Sequence, residues 1–123
     1  MSKILIVEDE QRLAAFVEKG FRKHHFSTTV VGDGEQALQA TRTGCYDIIL
    51  LDLGLPVKDG WAVIEELRSQ GTALPVVVMT ALSDLKQEVL AAGANDYIPK
   101  PFRFKDLLAA VQKQIDLISP LAG

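Results

Sequence analysis

The chain has 123 residues, 48% hydrophobic and 24% charged, which is the size and composition of one globular domain with a single core. Thirteen basic residues against sixteen acidic ones leave a net charge of −3, so the basic balance of a stand-alone nucleic-acid binder is missing. Cys45 is the single cysteine, no apolar run approaches the ~18 residues of a membrane span, and no signal peptide fits ahead of Ile4; a cytoplasmic, single-domain protein without disulfides is expected.

Strand and helix patterns alternate five times along the sequence. Ile4-Leu5-Ile6-Val7 is a continuous apolar run, as in a strand buried on both faces. Residues 11–24 change to helical spacing, with Leu13, Phe16, Val17, Gly20 and Phe21 on one face. Ser27 to Val31 is β-branched and predicts a second strand. Asp33-Gly34 opens a helix to about Thr43, with Ala37, Leu38 and Thr41 inward. Asp47 to Leu53 holds the most apolar strand, expected at the centre of the sheet. After the turn Pro56-Val57-Lys58-Asp59-Gly60, a helix carries Val63, Ile64 and Leu67. Leu74 to Thr80 is a fourth strand, and Leu85, Val89 and Leu90 mark a short helix ending near Gly93. Asp96 to Pro99 is a fifth strand, placed at an edge because Pro99 cannot donate to a ladder. Leu107, Leu108, Val111, Ile115 and Ile118 line a final helix, and residues 119–123 form a tail or the start of a linker to an output domain. This order implies βαβ crossovers, a parallel sheet and helices on both faces.

Ligands of open parallel sheets bind beyond the C-terminal ends of the strands. Here those ends carry Glu8-Asp9, Asp52, Thr80 and Lys100. Taken singly, Glu8-Asp9 reads equally well as a helix start, where acids favour the dipole, and Lys100 as a solvated surface residue. Asp52 is less easily dismissed, since an acid against a buried strand is costly unless paired. Like charges about 4 Å apart repel by roughly 4 kcal/mol per pair at an effective dielectric of about 20. A divalent cation balances three carboxylates and one ammonium, and all-oxygen ligands favour a hard ion such as Mg²⁺. A carboxylate beside a metal and an ammonium suits phosphoryl transfer, with Asp52 as acceptor.

Over nearly its full length the chain resembles the receiver domains of two-component response regulators. The carrying motifs are Ile4-Leu5-Ile6-Val7-Glu8-Asp9-Glu10, Asp47 to Leu53, Leu55-Pro56 with Asp59-Gly60, Met79-Thr80-Ala81, and Gly93-Ala94-Asn95-Asp96-Tyr97 through Lys100-Pro101-Phe102. The resemblance implies a flavodoxin-like fold of strand order 2-1-3-4-5 over residues 1–118. It implies Asp52 as phosphoacceptor, with Mg²⁺ held by Asp9, Asp52, the Gly54 carbonyl and, through water, Glu8. Lys100 would contact the phosphoryl group, and Lys100-Pro101 would be cis. Thr80 would be the hydroxyl switch and Tyr97 its aromatic partner. A sensor histidine kinase or phosphotransfer protein would supply the phosphoryl group to a switch controlling an output such as transcription. Such a domain catalyses its own phosphorylation and dephosphorylation without being a conventional enzyme, and binds neither nucleic acid nor membrane itself.

Some positions depart from that pattern. Many winged-helix relatives form a homodimer through the fourth and fifth helices and fifth strand, using cross-subunit charge pairs. One pair needs an acid at position 95 and a base at 110; here they are Asn95 and Ala110, and Gln112 replaces another base. Gly54 and Leu82 flank the acceptor site and offer nothing to position an attacking water, which predicts a slowly hydrolysed phosphoryl group. Gly32-Asp33-Gly34-Glu35-Gln36-Ala37 fits a dinucleotide fingerprint, but it follows the second strand, and Asp33 and Glu35 would repel a pyrophosphate. A phosphatase of the haloacid-dehalogenase type also uses an aspartyl phosphate, but needs an acid where this chain has Gly54. His24-His25 reads as the cationic end of a helix, and Cys45 as inert.

Overall fold

The computed structural model describes residues 2–82 and 84–118. The expected tail at 119–123 lies outside them. In chain order the elements are β1 (Lys3–Val7), α1 (Gln11–Lys23), β2 (Ser27–Val31), α2 (Gly34–Thr43), β3 (Ile48–Asp52), α3 (Gly60–Ser69), β4 (Val76–Thr80), α4 (Lys86–Ala91), β5 (Asp96–Pro99) and α5 (Phe104–Ile118). The strands form one parallel sheet in the order β2-β1-β3-β4-β5. This is the doubly wound order expected from the sequence, with β3 central and β5 at an edge.

Side chains of a strand alternate between faces, so each apolar run feeds two cores. Leu5, Val7, Ile49, Leu51, Val76 and Val78 meet Ala37 and Leu38 of α2, Val63, Ile64 and Leu67 of α3 and Val89 of α4. On the other face Ile4, Ile6, Ile48, Leu50, Val77 and Met79 meet Val17 and Phe21 of α1 and Leu107, Ala110 and Val111 of α5. Each fully buried aliphatic contributes about 1.5–3 kcal/mol of transfer free energy, which explains why runs with so little polar alternation become strands.

Several boundaries differ from the sequence reading. β3 is shorter because Asp47 stops at the sheet edge, its carboxylate accepting from Lys3 N at 2.7 Å. Leu53 turns away to accept from Gly60 N at 2.9 Å. β4 begins at Val76, although the Pro75 carbonyl already accepts from Ile49 N at 2.9 Å. α1 ends at Lys23, because His24 is its C-cap and His25 takes a left-handed φ of 67°. α4 spans only Lys86–Ala91.

Three expected core residues are exposed: Phe16 at 52%, Leu90 at 39% and Ile118 at 55%. Phe16 lies at the margin of the α1 stripe and packs its edge on Phe104, ring centroids 6.2 Å apart. Thr41 is half-buried and donates its hydroxyl to the Leu38 carbonyl at 2.8 Å.

Candidate functional site

Register brings the site together. Val7 pairs with Leu51, so Glu8, just past β1, lies beside Asp52, the last residue of β3. Thr80 closes β4 opposite Pro99, and Lys100 follows as its amide donates to the Thr80 carbonyl at 2.7 Å. Carboxylate oxygens of Glu8, Asp9 and Asp52 all lie within 4.8 Å of one another. Lys100 Nζ sits between two of these acids, 2.7 Å from Glu8 Oε1 and 3.5 Å from Asp52 Oδ1. The Lys100–Pro101 peptide bond is cis.

The helix-start explanation of Glu8-Asp9 fails on the geometry. The α1 cap is Glu10, whose carboxylate accepts from Arg12 N at 3.1 Å and Leu13 N at 2.8 Å. Glu8 is therefore left to the sheet edge, buried, with Oε2 accepting from Glu10 N at 3.1 Å. Asp9 stands exposed next to it.

Burial pushes the Glu8 carboxyl up from its ordinary value; the Lys100 and Glu10 hydrogen bonds oppose this, and the Asp52 charge reinforces it. Burial alone would lower the Lys100 ammonium. The Glu8 hydrogen bond and the Asp52 and Glu8 charges together outweigh it and hold Lys100 above its usual value. Lys100 is therefore a firmly protonated cation in a site with a surplus of acids. Oxygen donors alone, crowded at this spacing with one cation among them, fit a hard divalent ion such as Mg²⁺.

The structure gathers Glu8, Asp9, Asp52 and Lys100, with Gly54 N pointing to Asp52 Oδ1 at 3.4 Å. Thr80 and Tyr97 are engaged elsewhere. Thr80 is buried and its hydroxyl accepts from Leu82 N at 3.2 Å, while the half-buried Tyr97 donates to the Leu82 carbonyl at 2.6 Å. Both side chains thus bond to the backbone of Leu82, Thr80 at its amide and Tyr97 at its carbonyl, a link that the sequence does not reveal because Leu82 acts only through its backbone. Asn95 is also committed: its Oδ1 accepts from Val76 N at 2.9 Å and Arg68 Nη2 at 3.0 Å. Ala110 is buried in the core on the α1–α5 face of the sheet, and Gln112 donates to Asp116 at 3.1 Å. The glycine-rich stretch before α2 is not a phosphate cradle, since Asp33 caps that helix, accepting from Gln36 N at 2.8 Å.

A doubly wound parallel sheet with an acidic cluster and one lysine at its C-terminal edge defines a small α/β domain built around a carboxylate-rich site. The sequence profile of the response regulator receiver domain matches residues 4–112, and the chain belongs to that family. It is 40% identical over 114 residues to the transcriptional regulatory protein PcoR of Escherichia coli, covering 91% of this chain and 50% of PcoR. The chain spans about half the length of the curated relatives it matches. The receiver domain of the Francisella response regulator 1452 superimposes with a TM-score of 0.93 at 32% identity, covering 97% of this chain and all of that one. The receiver domain of sensor histidine kinase PA1611 from Pseudomonas aeruginosa, with magnesium coordinated in its active-site cleft, gives 0.84 at 36%, covering 93% and 97% of the two chains. Among the described residues no helix is long and apolar enough to cross a membrane.

Proposed function

We propose that residues 1–118 form a phosphorylation-driven switch that accepts a phosphoryl group on Asp52. The observation that carries this reading is the position of Lys100 Nζ between Glu8 Oε1 at 2.7 Å and Asp52 Oδ1 at 3.5 Å, inside a cluster of three carboxylates. With the oxygens of Glu8 taken by Lys100 and Glu10 N, Asp52, which closes the central strand, is read as the nucleophile. Its oxygen attacks phosphorus, the P–N bond of a donor phosphohistidine breaks, and the imidazole leaves. Lys100 exchanges one carboxylate oxygen for a phosphoryl oxygen without leaving the site. Asp9, Asp52 and the Gly54 carbonyl would hold Mg²⁺, with Glu8 acting through water because Lys100 and Glu10 N already occupy its oxygens. The ion supplies charge neutralisation of the transferred group.

Phosphorylation adds an acceptor to which the Thr80 hydroxyl can donate, and any movement of that hydroxyl draws on the Leu82 amide bonded to its oxygen. Tyr97 holds the carbonyl of the same residue, so occupancy at Asp52 biases the β4–α4 loop and the Tyr97 ring. The donor is a sensor histidine kinase or phosphotransfer protein, which the chain meets in the cytoplasm. The output is transcriptional, as the names of the relatives support, and this domain touches no nucleic acid or membrane itself. It turns over only its own phosphoryl group and is no conventional enzyme. Any homodimer through α4, β5 and α5 forms without the Asn95–Ala110 charge pair. The test is borohydride reduction after treatment with phosphoramidate and Mg²⁺. An acyl phosphate at position 52 is converted to homoserine, read from the peptide mass; reduction at another carboxylate, or at none, contradicts the assignment.

A further inference from the structure

The loop between β3 and α3 is held in a conformation that its own residues disfavour. Val57 has a φ of 67°, in the left-handed region, where a β-branched residue is strained. Lys58 N donates to the Pro56 carbonyl at 2.7 Å and closes a tight three-residue turn about Val57. The Val57 side chain is 83% exposed, so its own burial does not offset the strain.

Contacts around the loop do. Leu53 and Leu55 are buried in the core, and Asp59 caps α3 by accepting from Ala62 N at 2.9 Å. Among the described residues, Lys58 holds the outer end. Its carbonyl oxygen occupies the space that a Cβ on Gly34 would need, at the start of α2. Its ammonium reaches Glu66 Oε1 of α3 at 3.3 Å and Glu35 Oε2 of α2 at 3.6 Å. Arg42 of α2 meets the other oxygen of Glu66 at 3.5 Å, which fixes that carboxylate toward the loop. One lysine therefore ties the strained turn to both neighbouring helices, while the near end of the same loop carries Gly54 beside Asp52.

We propose that Lys58 is a positioning residue for the metal site: by binding Glu35 and Glu66 it keeps the Val57 turn closed and Gly54 in place beside Asp52. The inference rests on the reading of Asp9, Asp52 and Gly54 as a Mg²⁺ site. Lys58 acts through the loop and belongs to neither the nucleophile nor the ligand set. Its two ion pairs are partly exposed and individually weak, so their effect is read best where they oppose strain.

The test is a Mg²⁺ titration followed by backbone amide NMR shifts, without phosphodonor, alongside thermal melts in chelator. Lys58→Met, which keeps the stem and loses the charge, weakens Mg²⁺ binding by roughly three- to tenfold. Lys58→Arg recovers most of the affinity. Val57→Gly in the Lys58→Met background also recovers it, because a turn without strain needs no clamp; a merely structural lysine gives no such rescue. Mg²⁺ affinity unchanged in Lys58→Met, or no recovery with Val57→Gly, overturns the proposal and leaves the metal site standing. A parent chain that binds no Mg²⁺, or binds it equally well as Asp9→Asn, overturns the metal-site reading and the proposal together.

Discussion

The Tyr97 hydroxyl donates to the Leu82 carbonyl oxygen at 2.6 Å. The amide of the same residue donates to the Thr80 hydroxyl at 3.2 Å, so Leu82 is a backbone bridge between the hydroxyl that would sense phosphorylation and the ring that would report it. Thr80→Ala removes the sensing end. In this variant Asp52 is expected still to be phosphorylated, but the amide exchange of Leu82 and the Tyr97 ring signals are expected not to change between the variant's unphosphorylated and phosphorylated forms. A Thr80→Ala variant whose Tyr97 signals move on phosphorylation as in the parent would place the coupling elsewhere.

A phosphoryl group on Asp52, as proposed above, would be hydrolysed faster if a side chain nearby could orient water, and Gly54 has no side chain. Nothing lies within 4 Å of a Cβ built at Gly54, so the position is open to a larger residue. Gly54→Asn is expected to fold normally and to shorten the phosphoryl lifetime several-fold, measured as loss of the adduct mass with time. Rapid loss in the parent chain, with no acceleration in the variant, would show that the bare glycine is not what protects the acyl phosphate.

Asn95 is a structural acceptor. Its Oδ1 takes hydrogen bonds from Val76 N and Arg68 Nη2, and the same guanidinium donates to the Gly93 carbonyl at 2.9 Å and the Thr72 carbonyl at 2.8 Å. Burial lowers the Arg68 pKa without threatening its charge. Asn95→Asp keeps an acceptor for both donors and is expected to leave the unfolding free energy unchanged or slightly higher. Asn95→Ala strands the Val76 amide and costs about 1–3 kcal/mol. Urea unfolding of the two variants separates this role from that of a surface residue, for which both changes would be neutral.

A Cβ at Gly20 of α1 would collide with the Phe104 ring, which packs edge-on against Phe21 at 4.9 Å. Gly20→Ala therefore destabilises by about 1–3 kcal/mol despite its better helix propensity. Phe104→Leu added to it recovers part of the loss. Thermal unfolding of the single and double variants measures the coupling, and an additive result would contradict direct contact.

The acids at the strand ends were legible because each directly follows an uninterrupted apolar run, and a parallel sheet delivers all such ends to one edge. The sheet order is what the family resemblance implies, while the core stripes of α2, α3 and α5 follow from helical periodicity. A helix stripe says which residues face inward on average, and Phe16 falls at its margin, exposed and covered only in part by Phe104. The roles of Asn95 and Lys58 were hidden for another reason. Their partners Arg68, Val76, Glu35 and Glu66 lie on other elements, and only tertiary packing brings them together. Leu82 was illegible in principle, since its contribution is a peptide group that every residue possesses.

The most direct test of the account is the intact mass of the chain after incubation with acetyl phosphate, with and without Mg²⁺, beside Asp52→Asn. A single phosphoryl adduct that requires Mg²⁺ and is absent from the variant is expected. An adduct that persists in Asp52→Asn, or that forms equally well in chelator, would contradict the account.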